Sequence, residues 1–413
     1  MIRWPTRWPR RSGLMVVGAV LVVGAAAGVY LGTHSFQSVV SAHGQPQAGG
    51  QGQPASAQGS GLQLTFSPTN GATAVPLNAP ITVNASGGHL SAVQVTGPLG
   101  QPVPGTLDQG GGAWSSAPGA LAPLTSYTVQ VTGKTSSGKL VEQQASFTTL
   151  QPIATLTDDI EPTSGTVGVG MPIVVKFNHP VADRAAVQRA LVVQMSTPVL
   201  GAWHWMSSKE VHYRPQAYWP TGEHVTLASN LGGVDAGNGV WGTASRTVGF
   251  TVGDAHVSTV DINSHLMTVT NNGQVVQTFK DSAGRDKYPS MGGVHIVQYK
   301  TADLIMDSQS VGIPRNSPDG YYEHVAQDVN ISDGGEFVHA APWSVGAQGN
   351  SNVSHGCVNL APDNATWFFN FSQRGDIVTI VNSPRPPELS DNGTADWNTP
   401  WDQWVAGSAL PVT

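Results

Sequence analysis

Cysteine is nearly missing from this chain: Cys357 is the only one in 413 residues, so no intramolecular disulfide can form. Charge is scarce as well, at 11% of residues, and a net charge of -7 gives no cationic field for a nucleic-acid partner. Gly (49) and Pro (29) are plentiful instead, separating short β-branched runs. That balance is too apolar for a disordered chain and rich in turn formers, which suits several small β domains joined by loops. The length allows two to four of them.

A long apolar run occurs once. Arg3, Arg7, Arg10 and Arg11 precede an uncharged stretch, residues 13–32, built mostly of Val, Ala, Leu and Gly. At a helical rise of ~1.5 Å per residue such a stretch spans ~30 Å, the thickness of a bilayer core. Residues 1–33 therefore read as a cytoplasmic basic flank and a membrane anchor, with everything after them exported. A cleaved signal peptide is the competing reading, with Ala25, Ala26 and Ala27 as its small-residue cleavage region; the run is longer than the usual signal core. Residues 34–60 contain almost nothing bulky and read as a flexible tether. In an exported protein, cysteines normally come in disulfide pairs, so a lone one suggests a free reactive thiol. A small buried hydrophobe is the other reading, and the count alone does not choose between them.

Residues 61–150 and 151–253 look like diverged copies of one unit. Ser67-Pro68-Thr69-Asn70-Gly71 leads into Pro80-Ile81-Thr82-Val83, and Glu161-Pro162-Thr163-Ser164-Gly165 leads into Pro172-Ile173-Val174-Val175. Short β-branched runs alternating with Gly, Pro and Asn predict two immunoglobulin-like β-sandwiches. His204, His212 and His224 lie in or beside these strands and are read as satisfied structural histidines rather than metal ligands.

Residues 254–382 form a third region, mostly β. Met267 to Thr270 and Gln274 to Phe279 flank Asn271-Asn272-Gly273, a hairpin signal because Asn-Gly supplies positive φ. Further strands are predicted at 294–298, 304–306, 337–339 and 377–381, and one short helix from Pro362 to Phe371, with proline at its start and Gly375 past its end. The segment 312–335 reads as one long connection, a length that in a compact domain points to a lid, a merely variable surface loop being the alternative. In the tail, residues 383–413, Trp397, Trp401 and Trp404 would share one face of a helix, fitted for docking on a neighbouring domain or for stacking on sugar.

Ser354-His355-Gly356-Cys357-Val358-Asn359, with His339 upstream, concentrates chemistry. Thiol acyl transfer needs a base near the sulfur, because a free thiol with pKa ~8.5 is only slightly ionised at neutral pH. His339 supplies an imidazole, and Gly356 permits a tight turn that would aim backbone N–H groups at an oxyanion. A zinc site formed by His339, His355 and Cys357 is conceivable, but there is no second cysteine and no compact Cys/His spacing, so neither metal nor cofactor is expected. A papain-like order would place the cysteine before the histidine; here it is reversed.

These residues resemble the signature of the L,D-transpeptidase (YkuD-type) family, an upstream His followed by Ser/Thr-His-Gly-Cys-x-Asn. The resemblance extends over most of the chain and is nearest to the mycobacterial type, through Ile305-Met306-Asp307-Ser308, Asn316 to Tyr321, Phe337 to Gly349 and Asp396 to Trp404. It implies a cell-wall enzyme outside the cytoplasm. Cys357 would be acylated by a peptidoglycan tetrapeptide stem with release of its terminal D-alanine, and the side-chain amine of diaminopimelate on a neighbouring stem would resolve the thioester. His339 would be the base, oriented by the backbone carbonyl of Ala340, where family members often have serine. His355, Gly356 and Cys357 would supply oxyanion amides, helped by Tyr321. Met306, Tyr321 and Trp343 would line the substrate crevice, Ser354 and Asn359 would support the loop, and residues 312–335 would be the flap. Carbapenem β-lactams would be covalent inhibitors. A carboxypeptidase that lets water resolve the same thioester stays open; a non-catalytic wall-binding module has no need of His339, Gly356 and Cys357 together.

Overall fold

The computed structural model describes residues 61–387 and 395–412. The proposed anchor and tether, residues 1–60, lie outside the described residues, as does part of the tail. Among the described residues no helix is long and apolar enough to cross a membrane.

The first body pairs two sheets. Gln63–Ser67, Thr82–Ser86, Ala113–Ser116 and Gly105–Leu107 form one; Ala72–Val75, Leu140–Thr149, Ser126–Thr135, Gly88–Thr96 and Pro102–Val103 form the other. Alternation along Ser126–Thr135 sends Tyr127, Val129 and Val131 inward, where they meet Val83, Trp114 and Phe147. The second body repeats the plan. Asp158–Glu161, Ile173–Phe177, Glu210–Pro215 and Gly201–Trp205 face Thr166–Val167, Arg246–Val252, His224–Ser229 and Leu191–Met195. In both copies a short early strand runs parallel to the last long one, and both proline-led openings carry cis peptides, Ser67–Pro68 and Glu161–Pro162. The second copy adds a helix, Arg184–Ala190, that the sequence pattern does not reveal: seven residues are too few to show a helical period. Its start is nonetheless fixed locally, by Asp183 Oδ1 accepting the Ala186 N–H at 2.9 Å.

The third body is built on a five-stranded sheet in the order Gln274–Lys280, Leu266–Asn271, His256–Asp261, Ile377–Val381, Gly293–Ile296. A four-stranded sheet follows the order Tyr299–Asp307, Tyr322–Asn330, Phe337–Ala340, Val358–Leu360. Asn272 and Gly273, both at positive φ, make the predicted hairpin turn. The helix Pro362–Phe371 stands where proline placed it and buries Ala365 and Phe368 with Val338, Val358 and Val378. Its C-cap is Ser372; Gly375 (φ +92°) instead turns the chain into the next strand.

Two expectations need correction. The segment 312–335 is not one loop: Tyr322–Asn330 is a nine-residue strand paired with Tyr299–Asp307, so the structure there is a β-hairpin with its crossing at 308–321. Its polar residues, Glu323, His324, Gln327 and Asp328, hid the alternation. The tail tryptophans do not share one helix. Trp397 lies in a short turn, Asp396–Asn398, and only Trp401 and Trp404 lie on the helix Trp401–Ala406.

The tail docks on the second body. The Arg214 guanidinium lies 4.7, 5.3 and 4.6 Å from the ring centroids of Trp397, Trp401 and Trp404. Trp397 Nε1–H donates to the Gly170 carbonyl at 2.8 Å, and Trp404 Nε1–H to that of Ala202 at 3.0 Å. His212 beneath it donates Nδ1–H to Asp396 at 3.0 Å, and His204 stacks on Trp404. Asn398 also brackets Val294 of the third body, Oδ1 accepting its N–H at 2.8 Å and Nδ2–H donating to its carbonyl at 2.9 Å. The same seam is closed by Gly168 and Gly170, whose N–H groups donate to the Arg374 and Gly375 carbonyls at 2.7 and 2.9 Å. A side chain on either glycine would strike that backbone or Ile377.

Candidate active site

The strands Phe337–Ala340 and Val358–Leu360 run parallel, with Val338 opposite Val358 and His339 opposite Asn359. Val338, Ala340, Val358 and Leu360 enter the core, so the pleat sends His339 and Asn359 to the other face. Cys357, two residues before Asn359, opens into the same cavity as His339.

The turn before the strand is tied at every residue. Ser354 Oγ–H donates to the Cys357 carbonyl at 2.6 Å and accepts the Gly356 N–H at 3.0 Å. Ser354 N–H donates to the Ala283 carbonyl at 3.0 Å, and Arg285 N–H to the Ser354 carbonyl at 3.1 Å. Ser290 Oγ–H holds the Gly356 carbonyl at 2.6 Å. Gly356 sits at φ +131°, and a Cβ there would meet Glu336 Oε1 at 3.3 Å, so both backbone and space ask for glycine. Its N–H is already engaged by Ser354, so in this state Gly356 shapes the turn rather than presenting a donor. Glu336, which sequence reading missed, accepts the Met291 N–H at 3.0 Å and pairs with Arg385 at 2.9 Å behind this glycine.

His339 is buried, and its Nδ1–H donates to the Ala340 carbonyl at 3.0 Å. The other ring nitrogen is thereby left as the acceptor. Burial, partly opposed by that hydrogen bond, pulls its pKa down to about 4. Cys357 is half-buried, open to the cavity on one side. Burial of its sulfur pushes the thiol up to about 12; the Phe337 backbone opposes this, while the Glu336 and Asp328 carboxylates add to it. The resting pair is therefore a neutral thiol beside a neutral imidazole.

One cavity of about 240 Å³ gathers Met306, Tyr321, His339, Trp343, Ser354, His355, Cys357 and Asn359, which are all the sequence-selected residues except Gly356 beneath the floor. It adds Glu323, Val325 and Val353, hidden from sequence reading because two of them lie on the strand taken for a loop. Trp343 is 55% exposed at the rim. Asn359 Nδ2–H donates to Ser344 Oγ at 3.2 Å, tying the cysteine strand to the turn after His339.

His355 also lines this cavity. Its Nε2 accepts from Arg285 at 2.8 Å, and burial followed by the Arg285 charge lowers its pKa, so the ring is neutral. Tyr288 and Tyr321 each place a ring centroid 5.0 Å from it. Arg285 and Lys287 also grip Asp319 of the crossing, which accepts the Tyr288 hydroxyl at 3.1 Å. Tyr321 is pushed up to about 12, by burial first and then by Cys357, Glu323 and Asp307, and is a neutral hydroxyl donor.

Two family models match the chain: a bacterial Ig domain over residues 72–235 and an L,D-transpeptidase catalytic domain over residues 255–380. L,D-transpeptidase 2 of Mycobacterium tuberculosis is 41% identical over 348 residues, 84% of this chain and 85% of that protein. L,D-transpeptidase 5 of the same species is 33% identical over 359 residues, 84% of this chain and 77% of that one. Among solved structures, the LD transpeptidase LdtMt1 in complex with imipenem is 37% identical, with a TM-score of 0.49, covering 56% of this chain and 100% of that one. With identity sustained over most of both lengths, and with a tethered cysteine and a neutral histidine in one cavity, the chain belongs to the L,D-transpeptidase family.

Proposed function

We propose that Cys357 is the acyl carrier of this peptidoglycan L,D-transpeptidase and that His339 moves its proton. The thiol sulfur attacks the carbonyl carbon that joins diaminopimelate to the terminal D-alanine of a tetrapeptide stem. The free nitrogen of His339 takes the thiol proton during attack and gives it to the nitrogen of the departing D-alanine, leaving a thioester. The side-chain amine of a neighbouring diaminopimelate then attacks the thioester. His339 takes a proton from that amine and returns it to sulfur, and the cross-link is made. The observation that carries this reading is the shared cavity of His339 and Cys357 with both groups neutral, the state from which a general base works.

In this scheme the His355 and Cys357 amides and the Tyr321 hydroxyl hold the oxyanion, with Gly356 setting the turn. Met306 and Trp343 flank the stem, and Ser354 and Asn359 keep the loop in place. Imipenem, seen with LdtMt1, points to carbapenems as acylating agents of Cys357 here. We also propose a division into an anchor (1–33), a tether (34–60), two sandwich spacers (61–150 and 151–253), a catalytic domain (254–382) and a docking tail (383–413), which would hold the site outside the cytoplasm and within reach of the wall.

Mass spectrometry of products from a defined disaccharide-tetrapeptide tests the reaction. Cross-linked dimer with free D-alanine is expected. Tripeptide alone would mean that water, not an amine, resolves the thioester.

A further inference from the structure

The cavity wall contributed by the hairpin is uneven in charge. On the strand Tyr322–Asn330, Glu323 and Val325 line the cavity together with Tyr321, just before the strand. Their neighbours Tyr322 and His324 do not: Arg315 lies over the Tyr322 ring at 4.1 Å, and His324 faces Asp303. The register confirms this orientation, since Glu323 stands opposite Met306, another lining residue. Every other titratable group on the wall is neutral. His339 and His355 are held below the usual histidine range, and Tyr321 and Cys357 are held above theirs. Glu323 is thus the one carboxyl side chain facing the space over the sulfur, and it has no hydrogen-bond or ion-pair partner among the described residues. Of the hairpin's other carboxylates, Asp307 pairs with Arg315, Asp319 with Arg285 and Lys287, and Asp303 faces His324; Asp328 is buried with neither oxygen hydrogen-bonded, but it does not line the cavity.

An unpaired, exposed carboxylate on a cleft wall attracts a cation and repels an anion. The two substrates of the reaction differ in this respect. The donor presents its carboxylate-bearing end to the sulfur, which Glu323 would push away; the acceptor presents its side-chain ammonium. We infer that Glu323 is the docking group for the acceptor ammonium and so sets how the acyl-enzyme divides between amine and water. This rests on the reading of Cys357 as acyl carrier. Bound at Glu323, the ammonium is held beside the thioester. It gives one proton to water as it leaves the carboxylate, and the neutral nitrogen attacks the thioester carbonyl. His339 takes the second proton and returns it to the departing sulfur, so the cross-link forms with no other reactant.

The test follows full-length E323Q and E323K beside wild type, with disaccharide-tetrapeptide as both donor and acceptor. Two readouts are separated: D-alanine release, which reports acylation, and the ratio of dimer to tripeptide as acceptor concentration rises. E323Q should raise the apparent KM for acceptor about tenfold, the worth of one charge-assisted hydrogen bond, and shift product toward tripeptide. D-alanine release should fall far less. E323K should shift the ratio further, and added salt should lower the dimer ratio in wild type more than in E323Q. An unchanged acceptor KM in E323Q, or a fall in acylation as large as the fall in acceptor use, overturns the assignment. Wild type that releases no D-alanine would instead overturn the role given to Cys357.

Discussion

Two histidines of this protein, His339 and His212, are both buried, yet one is neutral and the other charged. His339, in the cavity, has a backbone carbonyl as its partner, and burial takes its pKa to about 4. His212, under the tail, is sandwiched between carboxylates, with Nδ1–H on Asp396 and Nε2–H on Glu210, each at 3.0 Å. Burial pulls His212 down as well, yet Asp396 and then Glu210 outweigh it and raise the pKa to about 9. The seam thus keeps a cation at neutral pH as part of its structure, while the active site keeps a ring that is empty of its second proton and able to accept one. Partners, more than depth, decide what a buried imidazole does.

Breaking each histidine's setting should give distinct failures. The largest effect falls on chemistry. His339→Gln should lower the rate of acylation by ~10²–10⁴-fold, the range for loss of a general base, measured as D-alanine release at saturating donor. Melting of that variant should stay close to wild type. At the seam the order reverses. Asp396→Ala leaves the His212 cation facing only Glu210, so it should cost about 3–5 kcal/mol of unfolding free energy, read by thermal or denaturant melting, with acylation per folded molecule retained.

The pH dependence sharpens the contrast. For His339 the folded pKa lies below the unfolded value of 6.5, so burial of the neutral ring costs stability only as pH falls from 6.5 through about 4. For His212 the folded pKa lies above it, so its contribution is complete below 6.5 and fades as pH rises through about 9. Substituting His339 should flatten the acid limb of the stability profile, and substituting His212 the alkaline limb. In the same range, alkylation of Cys357 by iodoacetamide should climb steadily with pH and show no plateau below 9, since the thiol is pushed up to about 12. The smallest effect is expected from Ala340→Ser. His339 is oriented by the carbonyl of this residue and not by its side chain, so D-alanine release should change by less than about twofold, within ~0.5 kcal/mol.

The sequence reveals most where chemistry is local. Ser354 to Asn359 are contiguous, and His339 needs only one parallel strand pair to join them, so the proposed nucleophile, base and supporting loop are readable in order along the chain. Groups that act across the fold are not readable in that way. Glu336 touches Gly356 from twenty residues away in sequence, and Arg285 reaches both His355 and Asp319 through loops whose paths only the sheet defines. Glu323 is hidden with its strand, because the outer part of this hairpin is exposed on both faces and so lacks the apolar alternation that marks a half-buried sheet. The tail tryptophans were visible as a docking surface, but their common partner, Arg214, lies 183 to 190 positions earlier and carries no motif.

The central claim is that one sulfur carries the stem peptide while one neutral imidazole moves its proton. Intact-mass measurement of the protein mixed with disaccharide-tetrapeptide and quenched in acid tests it directly. Wild type should gain the mass of the stem less D-alanine, His339→Gln should gain it far more slowly, and Cys357→Ala should gain nothing. An adduct on Cys357→Ala, or one formed at the wild-type rate in His339→Gln, would contradict the account.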